Sequence, residues 1–193
     1  MPATAKTERP RLSATDWERA ALDVIAEQGV AGVAVEPLAR RLGVTKGSFY
    51  WHFGTRDALL EAALRRWEHL DTEGLLAQVD RIADPRERLV QLFKRTSTEL
   101  KTHVIYAALL RALDHDAVKP VMQRLSQRRI NYLAVAYRAL GMGRRESMDR
   151  ARLAYAAYVG FLQLMLQLDL PRMAQDEYDS YVEHVAATLI PSR

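Results

Sequence analysis

Cysteine is absent from this chain of 193 residues, which rules out disulfides, thiolate zinc sites and cysteine nucleophiles. Glycine and proline are scarce, at nine and seven, and no stretch alternates polar and apolar residues between hairpin turns, so strands are not expected. A long hydrophobic run is also missing. The best candidate, Leu153 to Leu168, is broken by Gln163 and Gln167, flanked by Arg152 and Asp169, and shorter than the roughly 20 residues a bilayer crossing needs. It reads as a buried helix, and no membrane partner is expected. The opening MPATAKTERPRL carries charge with no apolar run behind it, unlike a secretory signal, so the expected compartment is the cytoplasm. Neither sign of charge dominates, with 28 basic and 24 acidic side chains netting +4.

What is present is helical period. Nearly half the residues are apolar, enough for a sizeable core, and they recur at spacings of three and four almost throughout, so the fold is expected to be all-α. Ser13 and Asp16 form a capping-box pattern before Trp17, Ala21, Val24 and Ile25, and Gly29 closes a first helix of about 15 residues. Pro37 suits the first turn of a second helix and Gly43 the left-handed position after it. Thr45 is placed to cap a third helix, which Gly54 ends. Thr55 and Arg56 open a long fourth helix, with Gly74 as a candidate break. Asp84–Pro85, Asp116–Pro120, Gly141–Gly143 and Leu170–Pro171 then punctuate about five more. Met148 to Leu170 is apolar on nearly all sides, which fits one face on the core and another on a partner subunit, or a monomer that buries both.

Residues 36–53 carry the helix-turn-helix pattern of two short helices and a tight turn. Ala39 and Gly43 are small where backbones cross, and Phe49 and Phe53, four apart, point inward. That leaves Lys46, Ser48, Tyr50, Trp51 and His52 on the outer surface, all capable of DNA contact. Thr45, Lys46, Gly47 and Ser48 form the first turn of the outer helix, where a phosphate can approach the backbone. Between Pro37 and Arg56 the cations Arg40, Arg41, Lys46 and Arg56 stand with no acidic residue among them.

Catalytic patterns are weak by comparison. The five histidines, at 52, 69, 103, 115 and 184, form no metal-binding helix motif, and no cofactor is expected. Asp114, His115 and Asp116 are consecutive, so they fan around a helix axis and cannot all face one metal. Gly141, Met142 and Gly143 lack the strand and third glycine of a dinucleotide loop. Two readings stay open on the residues alone: a ligand-responsive DNA-binding protein, and a small helical enzyme or ligand-binding bundle in which 36–53 is only structural.

The run LARRLGVTKGSFYWHFGTRDALLEAAL, residues 38–64, resembles the DNA-binding domain of the tetracycline-repressor (TetR) family of bacterial regulators, and the resemblance extends over about residues 13–64. It implies an N-terminal arm and helix-turn-helix domain, residues 1–56, followed by a larger ligand-binding and dimerisation domain, residues 57–193. By position it assigns Thr45, Lys46, Gly47 and Ser48 to the turn that reads bases and backbone. Tyr50 and His52 then fall on phosphates, and Arg56, with Thr55 beside it, on the basic start of helix four. Ser48 and Phe49 depart from the commoner Thr-Leu pair. Arg9 and Arg11 precede the first helix, either as an arm on DNA or as a solvated tail. The implied function is a repressor that binds a pseudo-palindromic double-stranded operator as a homodimer and is released by a small-molecule effector. The expected dimer seam is the helix pair near 145–170 and 174–190. No pocket residue is carried over by the resemblance. From chemistry alone, Phe93, Tyr106, Leu109, Leu110, Leu113, Met122, Tyr132, Tyr158, Phe161 and Met165 are candidates to line an apolar effector cavity, with Arg111, His115 or Gln163 for polar selection.

Overall fold

The computed structural model describes residues 12–96, 100–168, 171 and 173–191; the proposed arm residues Arg9 and Arg11 lie outside them. Among the described residues every regular element is helical, as the periodicity requires. The first helix, α1 (Ala14–Gln28), starts at Ser13, whose backbone N–H and hydroxyl both donate to the Asp16 carboxylate, at 2.8 and 2.7 Å. These hydrogen bonds hold the Asp16 carboxyl below the usual carboxylate range. Trp17, Ala21, Val24 and Ile25 are buried on one face, as their spacing predicts. Gly29 ends the helix at φ +78°, a conformation costly for any residue with a Cβ, and a 3₁₀ turn at Val30–Gly32 follows.

Next come α2 (Val35–Arg41), α3 (Lys46–Tyr50) and the long α4 (Arg56–Val79). The first two are described with the interface below. At α4 the Thr55 side chain accepts from the Ala58 N–H at 3.1 Å, a true cap. The helix runs through Gly74 without a break, so that expected interruption is corrected: its 24 residues span about 36 Å. After it come α5 (Pro85–Thr96), α6 (Leu100–Leu110), α7 (Val118–Ala139), α8 (Arg144–Gln167) and α9 (Gln175–Leu189). Asp84 caps α5 by accepting from the Glu87 N–H at 2.7 Å. Gln167, one of the polar interruptions in the apolar run, turns inward and donates to the Ala107 carbonyl at 3.1 Å, tying the end of α8 to α6.

One core runs from Trp17 to Ile190 without a gap. The boundary expected at 56/57 falls on the first residue of α4, where packing does not thin: Leu59, Leu60, Ala63 and Leu64 are fully buried and the helix packs closely on α1. Farther along, α4 packs on α5 and α7. The same rigid rod therefore belongs to both ends of the molecule. Among the described residues no helix is long and apolar enough to cross a membrane.

Candidate nucleic-acid interface and ligand cavity

The turn between α2 and α3 is built as its residues demand. Gly43 sits at φ +68° and donates to the Arg40 carbonyl at 3.1 Å, and the Val44 N–H donates to the Ala39 carbonyl at 3.0 Å. Ala39 is buried where the helices cross. Phe49 is fully buried, its ring edge-on to Trp17 at 5.4 Å between centroids, and Phe53 is buried behind it. These two rings anchor α3 from beneath, so the rest of the segment must face out. Thr45, Lys46, Gly47, His52 and Thr55 are exposed and Ser48 is half-buried. Tyr50 is 56% and Trp51 89% exposed, a large unburied aromatic surface for residues of this size.

Three expectations about this segment need correction. First, α3 ends at Tyr50, four residues before Gly54; His52 and Phe53 follow in a tight turn in which both N–H groups donate to the Phe49 carbonyl at 2.9 Å. Second, Thr45 stands at the cap position but its side chain caps nothing. Third, Arg56 turns inward. Its Nε and Nη2 donate to the Val33 and Val30 carbonyls at 2.8 and 2.9 Å, and Nη1 donates to Asp57 at 2.9 Å. Nη1 also lies 3.4 Å from His115 Nε2, on the connection between α6 and α7. Arg56 therefore braces the head against the body in this conformation, giving the Val33 carbonyl a donor and adding a second to the Val30 carbonyl, which also accepts from the Val33 N–H at 3.2 Å.

The positive patch is thinner than the sequence suggests. Arg41, though exposed, makes a bidentate pair with Glu27 on α1, at 2.6 and 2.7 Å, which leaves Arg40 and Lys46 as the exposed cations of the patch outside that pair. Lys46 is itself paired, Nζ to Glu36 Oε1 at 2.8 Å. The hydrogen bond between them raises the Lys46 ammonium and lowers the Glu36 carboxyl relative to their ordinary values. Lys46 must leave Glu36 to reach a phosphate. Glu36→Gln is accordingly expected to strengthen DNA binding by about 3- to 10-fold, since it removes both the competing acceptor and a charge that repels the duplex. Fluorescence anisotropy checks this, and weaker binding by the variant contradicts it.

In the body, α4, α5, α6, α7 and α8 enclose a cavity of about 200 Å³. Of the expected lining residues, Phe93, Tyr132 and Tyr158 reach it, and Phe161 lines a smaller space of about 70 Å³ beside it, toward α9. The others do not. Tyr106, Leu109 and Met122 are plain core, Leu110 and Met165 are half-buried elsewhere, and Leu113 is 41% exposed on the α6–α7 connection. Nor do the three polar candidates line it: Arg111 and Gln163 are exposed, and His115 abuts Arg56. Sequence reasoning missed His103, Arg128, Arg129 and Tyr155, whose side chains come from three helices. The one sequence signal was the Arg128–Arg129 pair within the apolar period of α7. The Tyr106 and Tyr155 hydroxyls meet at 2.6 Å, and Tyr155 donates to Ser126 at 2.9 Å. Burial first, then Tyr155, raises the Tyr106 phenol well above the ordinary tyrosine range. Among the described residues no three potential metal ligands converge.

The architecture is a helix-turn-helix head with an unburied aromatic edge, fused through one continuous helix to an all-α body with a cavity. Residues 19–63 match the family described as bacterial regulatory proteins, tetR family. A matching relative is the tetracycline repressor protein class A from transposon 1721 of Escherichia coli, 52% identical over 44 residues, 23% of this chain and 20% of that one. The chain spans less than half the length of the curated relatives it matches. Among solved structures, a transcriptional regulator from Rhodococcus sp. Rha1 is 24% identical with a TM-score of 0.72, covering 93% of this chain and 94% of its own. The multidrug binding protein EbrR complexed with malachite green is 24% identical with a TM-score of 0.63, covering 93% and 98%. These two likenesses show the fold.

Proposed function

We propose that the protein is a homodimeric, ligand-released repressor of transcription rather than an enzyme. The observation that carries the reading is the outer surface of the α2–α3 unit, where Thr45, Lys46, Gly47, Tyr50, Trp51 and His52 stand exposed while Phe49 and Phe53 hold the segment from beneath. A duplex presents phosphates and base edges to such a protrusion, and cations, hydroxyls and aromatic N–H or O–H donors are what both require. Ser48 and Thr55 lie at the margins of the same surface, and Arg56 acts on it indirectly, by fixing the start of α4.

The dimer is supported by α8. Leu153 and Leu164 are exposed and lie eleven residues apart, three helical turns, with Ala157 and Gly160 on the same face between them and exposed Leu168 beyond. A second copy related by a two-fold axis would cover this stripe, with α9 beside it, and would set two α3 segments roughly 34 to 36 Å apart for successive major grooves. Leu153→Glu/Leu164→Glu is expected to give a monomer by analytical ultracentrifugation while retaining helicity. A variant still dimeric at micromolar concentration removes this seam.

Release is supported by the links between cavity and head. Leu70 and Leu76 of α4 line the cavity, while the other end of α4 packs on α1 and begins at Arg56. A second tie joins Lys101 of α6 to Asp23 of α1 at 2.6 Å. A ligand that shifts α4 or α6 thereby tilts the head, and a coupling of about 1–3 kcal/mol changes operator affinity about 5- to 150-fold. The small molecule named with EbrR is the precedent for a ligand held in this fold. The deciding experiment is a binding titration of the purified protein with the DNA beside its own coding region: a protected palindrome is expected, and binding to random duplex with equal affinity and no protected site contradicts a specific repressor.

A further inference from the structure

The shape of the body's two internal spaces restricts what can occupy them, which rests on and deepens the reading of the body cavity as the effector site. The larger, about 200 Å³, and the smaller, about 70 Å³, share five lining residues. These are Phe93 and Thr96 of α5, His103 of α6, and Ala154 and Tyr158 of α8. Residues common to both linings stand between the two spaces. The partition is therefore built of side chains from three helices, with Ala154 contributing only a methyl group. Phe93 and Tyr158 are half-buried, and a change of rotamer at either opens such a partition with no movement of a helix.

The larger space reaches the surface beside exposed Leu70 and Gly74 of α4. The smaller lies on the other side of the partition, where Val182 and Val185 of α9 face Leu162 of α8. It is too narrow for a ring. A dry cavity of about 150 Å³ holds one benzene molecule, about twice the smaller space. The rings around it are already stacked on one another, Phe161 at 4.8 Å from Tyr181 with 19° between planes and at 5.8 Å from Tyr178. Methylene groups pass where a ring does not. Along α8 the smaller lining runs from Ala154 to Leu162, eight residues or about 12 Å of rise. An extended chain advances about 1.2 Å per bond, so that length corresponds to about ten carbons.

We infer that the two spaces form one site for an unbranched alkyl chain of about eight to ten carbons, which enters beside Leu70, passes between Phe93 and Tyr158, and ends against α9. Uncharged probes keep ion pairing out of the comparison: 1-hexanol, 1-octanol and 1-decanol, titrated by calorimetry into the intact protein. Each added methylene is expected to tighten binding about 4-fold, hence about 16-fold from hexanol to octanol and about 16-fold again to decanol. The rigid 2-naphthaleneethanol, with as many ring carbons as decanol has chain carbons, should bind at least about 10-fold more weakly than decanol, because a ring overpacks the smaller space. Val185→Phe fills that space from the α9 side. It should bring decanol to within about 3-fold of hexanol and leave hexanol itself within about two-fold, which also reports that the larger space is intact. Val182→Phe, one turn away on the same lining, should act in the same way.

Affinity that stays flat from hexanol to decanol overturns the inference. So does naphthaleneethanol binding as tightly as decanol, an unchanged dependence on chain length in both α9 variants, or no binding of any probe up to its solubility limit. Operator affinity is measured in parallel. Chain-length-dependent binding that leaves DNA affinity unaltered upholds the ligand class and defeats the effector reading. DNA release by the rigid probe with no response to the alkanols does the reverse.

Discussion

Raising monovalent salt from about 50 to 200 mM is expected to weaken operator binding about 100-fold, with a slope of log affinity against log salt near −3.6. The arithmetic follows from which cations the fold leaves available. Arg41 is held by two hydrogen bonds to Glu27 and Arg56 by the Val30 and Val33 carbonyls, so each head offers Arg40 and, once it leaves its single bond to Glu36, Lys46, and a dimer offers four charges at about 0.9 of a counterion each. Lys46→Ala removes two of the four and should flatten the slope by about 2, with a roughly uniform loss of affinity across sequences. Tyr50→Ala should weaken binding by about 10-fold without changing the slope, because a hydroxyl donor releases no counterion. Filter binding or anisotropy at five salt concentrations reads all three values. A slope near zero for the unmodified protein contradicts DNA binding by this surface, and a slope steeper than about −6 places further cations, such as Arg9 and Arg11, on the duplex.

The second large effect is on stability. Phe49→Ala is expected to cost about 3–5 kcal/mol of unfolding free energy, the range for truncating a fully buried aromatic ring. Its ring touches Trp17 at 5.4 Å, Tyr50 at 5.2 Å and Phe53 at 5.8 Å, so three neighbours lose packing at once and α3 loses its anchor. Tyr50, one residue on and 56% exposed, should cost under about 1 kcal/mol when truncated. The contrast separates two kinds of DNA-binding failure. Chemical denaturation shows the head of Phe49→Ala melting early, whereas Tyr50→Ala melts with the unmodified protein. A loss below about 1 kcal/mol for Phe49→Ala would mean that the segment is held by something other than this cluster.

The helices were legible because their causes are local. The Ser13–Asp16 cap, the Gly29 and Gly43 reversals, the Thr55 cap and the spacing of Trp17, Ala21, Val24 and Ile25 involve partners within four residues, and each appears where the sequence puts it. The inward and outward faces of α3 were readable for the same reason: Phe49 and Phe53 share a side, which leaves Tyr50 and Trp51 no place in the core. Three local expectations failed, the Thr45 cap among them. The helix signal persisted through Phe53, but only five residues are α-helical before a tighter turn takes over. Gly74 was a candidate break in α4, yet the helix runs through it, since a glycine costs a helix only about 1 kcal/mol.

The cavity was much less legible. Phe93, Tyr132 and Tyr158 were found by type, but Tyr106, Leu109 and Met122 share that type and period and are solid core. Periodicity reports which side of a helix faces inward. It does not say whether the space there is filled. Arg129 illustrates the gap, since a cation on an amphipathic helix normally reads as solvated, and here it lies over two tyrosine rings from α6 and α8.

Hydrophobic period, caps and turn glycines thus determined the all-helical fold, the order of its elements and the outward edge of α3, because each depends on neighbours a few residues away. Tertiary structure alone decided that Arg56 braces the head, that Arg41 is consumed by Glu27, that Lys46 shares Glu36, and that Arg129 lies over two tyrosine rings at the cavity. Except for the Asp57 contact, those partners lie at least ten residues apart along the chain, so their meeting is fixed by how the helices cross.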